Sequence, residues 1–243
     1  MPTDHFGEDV ARRYDSDSAS EFEPAVVGPM VDFLAGLAGD GAALEFGIGT
    51  GRIALPLSER GVVVSGIDLS EPMVARLRTK RGAERIEVTI GDFAVTRVEG
   101  QFRLVYLVYN TINNLTTQDE QVACFANAAA HLEPGGCFVV EVGIPDLRRL
   151  PPGETVRPFH VSPDRLGFDE YDVATQALVS HHYWLAGGRA RTVSTPFRYV
   201  WPSELDLMAR LAGMRPRERW AGWGREPFTG DSLRHVSVWD KPA

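Results

Sequence analysis

Between Ala42 and Val142 the hydrophobic period of the chain switches repeatedly, and this alternation restricts the possible folds more than any other feature. AALEF, VVVSGID, IEVTI, LVYLVY and CFVVEV are apolar runs of strand length. Segments of helical spacing lie among them. Ile53 to Arg60 reads as a helix closed by Gly61, and Ser70 caps a second helix that holds Pro72 in its first turn and runs through Arg81 to Gly82. Thr117-Gln118-Asp119-Glu120 has capping-box spacing ahead of a helix with Val122, Phe125, Ala126, Ala129 and Leu132 on one side. Five strands alternating with helices pair in parallel through right-handed crossovers, and near-continuous runs such as LVYLVY suit strands covered on both faces. The reading is an α/β fold with a doubly wound sheet.

The flanks follow other rhythms. Phe6, Val10 and Tyr14 recur every fourth residue, and Val27, Met30, Val31, Leu34 and Leu37 form a second helical stripe after Pro24, so two helices precede the first strand. Beyond IPDLRRLPPG, the runs RLGFDEYDV, ALVSHHYWLA and RARTVSTPFRYV read as three antiparallel strands, the last two joined by a tight hairpin at Gly187-Gly188. A helix from Ser203 to Leu211 ends at Gly213, and RERWAGW and HVSVWD add two late strands at the sheet edge. The chain thus divides into N-terminal helices over residues 1–41, a core over 42–158 and 201–243, and an antiparallel insertion over 159–200.

Composition narrows the classes of function. With 243 residues, 44% hydrophobic and 24% charged, the chain can bury a large core without metals or disulfides. A formal net charge of -8 disfavours attraction to nucleic acid or anionic lipid. Cys124 and Cys137 have no C-x-x-C spacing and read as buried thiols. The N-terminus has no basic start ahead of an apolar core, and no stretch is long enough to span a bilayer, so the expected location is the cytoplasm. No His/Cys/Asp spacing points to a metal: Asp164, Asp169 and Asp172 read as a solvated acidic stretch.

The chemical signal is the turn from Glu45 to Arg52, which joins the first strand to its helix and contains Gly47, Gly49, Thr50 and Gly51. Glycines there let backbone approach a bound molecule, and the helix that follows presents free N–H groups. The dinucleotide fingerprint G-x-G-x-x-G would need glycine where Arg52 stands. Glu45, two residues before the first glycine, would repel a pyrophosphate and favour an ammonium or sulfonium group, which points to S-adenosylmethionine. Asp68 closes the second strand, where a carboxylate can accept from both ribose hydroxyls. In Gly91-Asp92-Phe93 the acid can take the adenine amino group while Phe93 covers the ring. All three acids fall at the carboxyl ends of successive strands, the edge where such sheets bind ligands.

LEFGIGTGR, GIDLSEPM and GDF together resemble the class I S-adenosylmethionine-dependent methyltransferases, over roughly Ala42 to Val142. The resemblance implies a seven-stranded Rossmann-like sheet, with the antiparallel β insertion after the fifth strand. It further implies that Leu69 and Met73 flank the adenine, and that Tyr109 and Asn110 border the methionine and acceptor site. The insertion is loosely similar to the small-molecule branch that includes aminosugar N,N-dimethyltransferases and glycine-type N-methyltransferases. In that branch the insertion covers the cleft and an N-terminal helix closes over the cofactor, a role for which Arg13-Tyr14 is the matching segment. The expected activity is methyl transfer to nitrogen or oxygen of a small molecule by a monomer or homodimer, without nucleic-acid or membrane partners. Methylation of protein or tRNA, and a nucleotide-binding oxidoreductase, are the alternatives.

In-line displacement from a sulfonium draws mostly on orientation, so a general base is needed only where the acceptor sheds a proton during transfer. Tyr14, Asn113, His182 and Arg198 are the candidates for acceptor contact, with His160 beside them. His181 and His182 are adjacent on a strand and point to opposite faces, so one of them at most looks into the cleft. Trp184, Trp201, Trp220, Trp223 and Trp239 are read as packing residues. Val108-Tyr109-Asn110-Thr111-Ile112 departs from the Asn/Asp-Pro-Pro-aromatic pattern of nucleic-acid amino-methyltransferases, which weakens the tRNA alternative.

Overall fold

The computed structural model describes residues 6–243; the first residues of the segment read for a leader, 1–5, lie outside the described residues. Helices α1 (Glu8–Asp17) and α2 (Pro24–Ala38) precede the sheet. The parallel units are β1 (Ala43–Phe46), α3 (Ala54–Glu59), β2 (Val64–Asp68), α4 (Glu71–Arg78), β3 (Glu87–Ile90), β4 (Phe102–Leu107), α5 (Gln118–His131) and β5 (Leu132–Gly143). Ser70 caps α4 by accepting from the Met73 amide, and both halves of the Thr117/Glu120 capping box form. Three expectations need correction. α4 stops at Arg78, short of Arg81, and β3 reaches β4 through turns without an intervening helix. Ala126 is exposed, and the buried face of α5 carries Gln121, Cys124, Phe125 and Ala128.

After β5 come β6 (Val156–Val161), β7 (Arg165–Asp172), β8 (Ala177–Ala186) and β9 (Arg189–Arg198), then α6 (Pro202–Leu211), β10 (Arg215–Trp220) and β11 (Arg234–Asp240). The main sheet has seven strands in the order β10-β11-β5-β4-β1-β2-β3, in which β11 runs antiparallel to both of its neighbours. The strand order reverses between β1 and β4, which opens a crevice at their carboxyl ends. The second sheet is antiparallel, β6-β7-β8-β9, and Gly187 and Gly188 take the positive φ values that a two-residue hairpin turn requires. β6 starts at Val156, ahead of the expected boundary at 159, because Pro158 obscured the run as a strand; as an edge strand, β6 tolerates it.

Alternate residues of the central strands feed two cores. Leu104, Tyr106, Cys137 and Val139 face α2 and α3, while Val105, Leu107, Phe138 and Val140 face α5 and α6. At about 25 cal/mol per Å² of apolar area, these layers hold the sheet rigid beneath the crevice. Both cysteines are free and buried, on opposite sides of the sheet, and burial raises the Cys137 thiol to about 12. No helix among the described residues is long and apolar enough to cross a membrane.

Candidate active site

The turn after β1 sets the first wall. Gly47 sits at φ +70, and a Cβ there would come within 2.6 Å of Thr111 Cγ2; Gly49 sits at φ +54. Its amide donates to Asp68 Oδ2 at 2.6 Å, and the Ser70 amide donates to Oδ1 at 2.8 Å, so Asp68 locks the turn against the end of β2. These groups open onto a cleft of about 770 Å³, also lined by Leu69, Met73, Asp92 and Phe93. Phe93 stacks on Phe46 at 5.8 Å, and Asp92 is fixed by the Ala94 amide at 2.9 Å. Gly91 lies outside the cleft lining; a Cβ on it would strike Thr96 Oγ1 at 2.3 Å, so its smallness serves the turn that presents Asp92.

Helix α1 closes the cleft from above. Tyr14 and Phe6 line it, and the Ser70 hydroxyl donates to the Phe6 carbonyl at 2.8 Å. Asp15 accepts from Thr50 Oγ1 at 2.7 Å and pairs with Lys80 at 2.7 Å, while Lys80 also donates to the Thr50 carbonyl. Burial raises the Tyr14 hydroxyl to about 12 against the opposing pull of Arg52, so it stays protonated at neutral pH. Arg13 turns back onto its own helix, donating to the Asp9 carbonyl.

Glu45 differs from expectation. It is 3% exposed, accepts from the Tyr106 hydroxyl at 2.9 Å and lies behind the turn, off the cleft wall. Burial lifts its carboxyl to about 8, so it is mostly protonated at neutrality. The acids facing the cleft are Asp68 and Asp92. Gly51 packs on Leu77, and Arg52 donates to the Glu21 carbonyl with its guanidinium 4.7 Å from the Tyr109 ring centroid. Tyr109 and Asn110 occupy consecutive left-handed positions, φ 58 and 60, an uncommon strain for side-chain-bearing residues. Glu141 and Gly143 hold them there: the Tyr109 amide donates to Glu141 Oε2 at 2.9 Å, and the Gly143 amide donates to Asn110 Oδ1 at 2.6 Å.

A short 3-10 turn, Thr111–Asn114, follows, and it divides two spaces. Thr111, Asn114 and Leu115 line the first cleft; Asn110 and Asn113 line a second cavity of about 700 Å³, whose far wall is the insertion sheet with Asp169, Tyr171, Ser180 and Tyr199. His182 lies on the Ser180 face of β8, stacked on Trp184 at 5.6 Å, with its pKa lowered by burial and by Arg165. His181 points the other way, to Ser194 at 2.8 Å.

A model of a methyltransferase domain matches residues 43–136. The solved structure of the CcbJ methyltransferase from Streptomyces caelestis superposes with a TM-score of 0.88 at 35% identity, covering 99% of this chain and 100% of that one. The chain belongs to the class I S-adenosylmethionine-dependent methyltransferases. Similar to it as well are a cypemycin N-terminal methyltransferase from a Streptomyces species, 27% identical over 82% of each chain, and a dTDP-3-amino-3,4,6-trideoxy-alpha-D-glucopyranose N,N-dimethyltransferase from Streptomyces venezuelae, 31% identical over 40% of each. The oxidoreductase alternative is overturned by this membership.

The residues of this methyltransferase fit its cofactor, S-adenosylmethionine. The backbone at Gly47 and Gly49 leaves a cradle without side chains beside a carboxylate at the end of β2, and Phe93 offers an aromatic face. Among the acceptor-side candidates, Asn113 reaches the second cavity and Tyr14 the first cleft, whereas His182 lines neither. Arg198 must be corrected. It is 4% exposed, bonded to Gln121 and paired with Glu204 at 2.7 Å, a brace between β9, α5 and α6 that faces neither space. His160 is exposed beside Ser162. Asp169, read as part of a solvated stretch, faces the second cavity, while Asp164 and Asp172 are exposed. The period-2 alternation of RLGFDEYDV, which puts Asp169 and Tyr171 on one face, was the signal that could have separated them.

Proposed function

We propose that this methyltransferase methylates the nitrogen of a small secondary metabolite, and that the second cavity receives the acceptor. The observation that carries the reading is the shared wall: one 3-10 turn presents Thr111 and Asn114 to the cofactor cleft and Asn113 to the cavity under the insertion. The names of the similar cypemycin N-terminal and aminosugar N,N-dimethyl enzymes favour nitrogen. The net charge of -8 favours a small acceptor over a nucleic acid.

Bound S-adenosylmethionine supplies an electrophilic methyl group on a sulfonium. Asp68 would hold the ribose hydroxyls, Asp92 the adenine amino group, and Leu69, Met73 and Phe93 the two ring faces. Gly47 and Gly49 give the backbone its close approach. Tyr109 and Asn110, fixed in strained conformation, would border the methionine end of the cofactor and the acceptor, with the Arg52 guanidinium over the Tyr109 ring. Helix α1 forms the cofactor-side cover and the antiparallel sheet the acceptor-side cover, so that water is excluded and two reactants are held in line, while α2 packs on the sheet. Such alignment is worth roughly 7–11 kcal/mol of barrier. A Tyr14 hydroxyl that titrates near 12 donates hydrogen bonds and takes no proton at neutral pH.

The test pairs turnover with binding. Release of S-adenosylhomocysteine is measured with a panel of amines and the matching alcohols; turnover confined to alcohols would overturn the nitrogen assignment. Asp68→Ala is expected to weaken cofactor binding about 10–100-fold, from the loss of charge-assisted hydrogen bonds, while the protein remains folded. Unchanged affinity removes the ribose role.

A further inference from the structure

We infer that the cavity between the Asn110–Asn113 segment and the insertion sheet receives the acceptor's amino group as an ammonium, with the Asp169 carboxylate as its counter-charge; the ammonium passes one proton to that carboxylate before the freed nitrogen lone pair displaces the methyl group from sulfur. The inference rests on the proposed nitrogen methylation and names the chemistry of its acceptor site. Its first support is a line of polar groups. Asp169 and Ser180 are directly paired across β7 and β8, so their side chains share a face, and Tyr171, two residues along β7, lies on that same face. Arg165 Nη2 donates to His182 Nδ1 at 3.5 Å, which leaves the proton on Nε2; that nitrogen faces Ser180 Oγ at 3.3 Å. His182 therefore donates to Ser180 Oγ, which leaves the Ser180 hydroxyl hydrogen free to turn toward the Asp169 carboxylate on the same face.

No Lys or Arg among the described residues forms an ion pair with Asp169. Burial holds its carboxyl above the ordinary range, against the hydrogen bond from Ser180 and the nearby His181, whose ring is engaged by Ser194 and Glu170. A half-buried carboxylate without a cation is stabilised by acquiring one. The amide oxygen of Asn113, buried in the wall opposite, has no hydrogen-bond partner among the described residues, which adds a second acceptor. The lining also carries three aromatic side chains among aliphatic ones: Tyr171 and Tyr199 stand 5.8 Å apart at 59°, with Phe197 beside them and Ile144, Pro145 and Leu178 around. Ring faces around one carboxylate recognise an ammonium, including one that already bears methyl groups. A hydroxyl acceptor would leave both the charge and one of the two oxygens unmatched.

The experiment titrates the protein loaded with S-adenosylhomocysteine, by NMR, with cyclohexylamine, glucosamine and alanylalanine, each against its hydroxyl counterpart. At least one amine is expected to bind about tenfold tighter than its counterpart, the difference between a charge-assisted and a neutral hydrogen bond. Asp169→Asn is expected to abolish that preference while S-adenosylhomocysteine affinity stays within about twofold, since the two spaces are separated by the turn. Absence of the preference in the wild type, or its survival in Asp169→Asn, overturns the assignment. If Asp169→Asn no longer binds S-adenosylhomocysteine, Ser180→Ala decides, with an expected loss of about threefold in amine affinity from one removed hydrogen bond, and unchanged affinity overturns the site. Amines that bind through Asp169 yet fail in the turnover panel would sink the nitrogen reading and leave the cavity standing. Turnover of an amine with an unaltered KM in Asp169→Asn would do the reverse.

Discussion

The cofactor cleft and the cavity under the insertion are divided by one short turn, Thr111–Asn114, yet they are made of different material. The cleft is shaped by backbone: positive-φ glycines, amides anchored on Asp68, and the ends of parallel strands. The cavity is shaped by side chains on one face of an antiparallel sheet, Asp169 and Tyr171 on β7, Leu178 and Ser180 on β8, Phe197 on β9. A backbone-built site admits few substitutions and serves any acceptor. A side-chain-built site can be rewritten residue by residue while its strands stay in place, which is how one cofactor machine can serve different acceptors.

The largest effect should separate the frame of the proposed acceptor side from its chemistry. Arg198→Ala leaves Glu204 13% exposed beside Gln118 and Gln176 without its guanidinium, and a broken buried pair costs about 3–5 kcal/mol. Burial raises the Glu204 carboxyl, but the bonds from Arg198, Gln176 and Gln118 outweigh it and hold it below the ordinary range. A depressed acid stabilises the fold above its ordinary pKa and loses that contribution as pH falls through the folded value, so the loss is fully visible at neutral pH. We expect a large drop in thermal stability with unchanged cofactor affinity in the folded fraction; a selective fall in kcat without destabilisation would return Arg198 to the acceptor site.

On the backbone-built side, Gly47→Ala forces a side chain into φ +70 and within 2.6 Å of Thr111 Cγ2. Strain and overpacking together cost about 2–4 kcal/mol, read as lower thermal stability and as weakened binding of S-adenosylmethionine. Thr111→Ser in that background removes the clashing methyl and should recover part of the loss. No recovery would mean that the conformation, and not the contact, requires glycine.

The same contrast explains what was legible in the sequence. Strand-length apolar runs, the Thr117 capping box and the glycine turn express constraints local in sequence, so the fold and the cleft residues Gly47, Gly49, Asp68, Asp92 and Phe93 could be read directly. Glu45 points to the ligand by its place before the glycines, but burial in β1 and the Tyr106 hydroxyl draw it inward. Arg198 and Asp169 stand opposite to what composition suggests: the basic residue is buried in a brace, and the acidic one lines the cavity under the insertion. Their surroundings depend on the packing of β9 against α5 and α6 and on cross-strand register, contacts between residues far apart in the chain.

Glu45 offers a pH test on the cofactor side. Its carboxyl titrates near 8 when folded and in the ordinary range when unfolded, so the native state holds the extra proton between those values. Stability therefore falls as pH rises from about 5 to 8, at up to about 1.4 kcal/mol per pH unit, and Glu45→Gln should flatten that slope. An identical slope in the variant would show that Glu45 is ionised in the folded protein.

The smallest effect concerns the cover over the cleft. Asp15 joins α1 to the glycine turn through Thr50 Oγ1 and to α4's end through Lys80, with both charged side chains about a quarter exposed. Partial solvent access limits such a pair to about 0.5–1 kcal/mol. Asp15→Asn keeps one acceptor for Thr50 but removes the charge, so it should speed cofactor dissociation about threefold and leave association nearly unchanged, because closure follows entry. High salt should reproduce part of the change in the wild type and little in the variant. If dissociation is equally salt-sensitive in both, the helix is held by the Ser70 bond to the Phe6 carbonyl and by the rings of Phe6 and Tyr14, and the acid contributes nothing to closing the cleft.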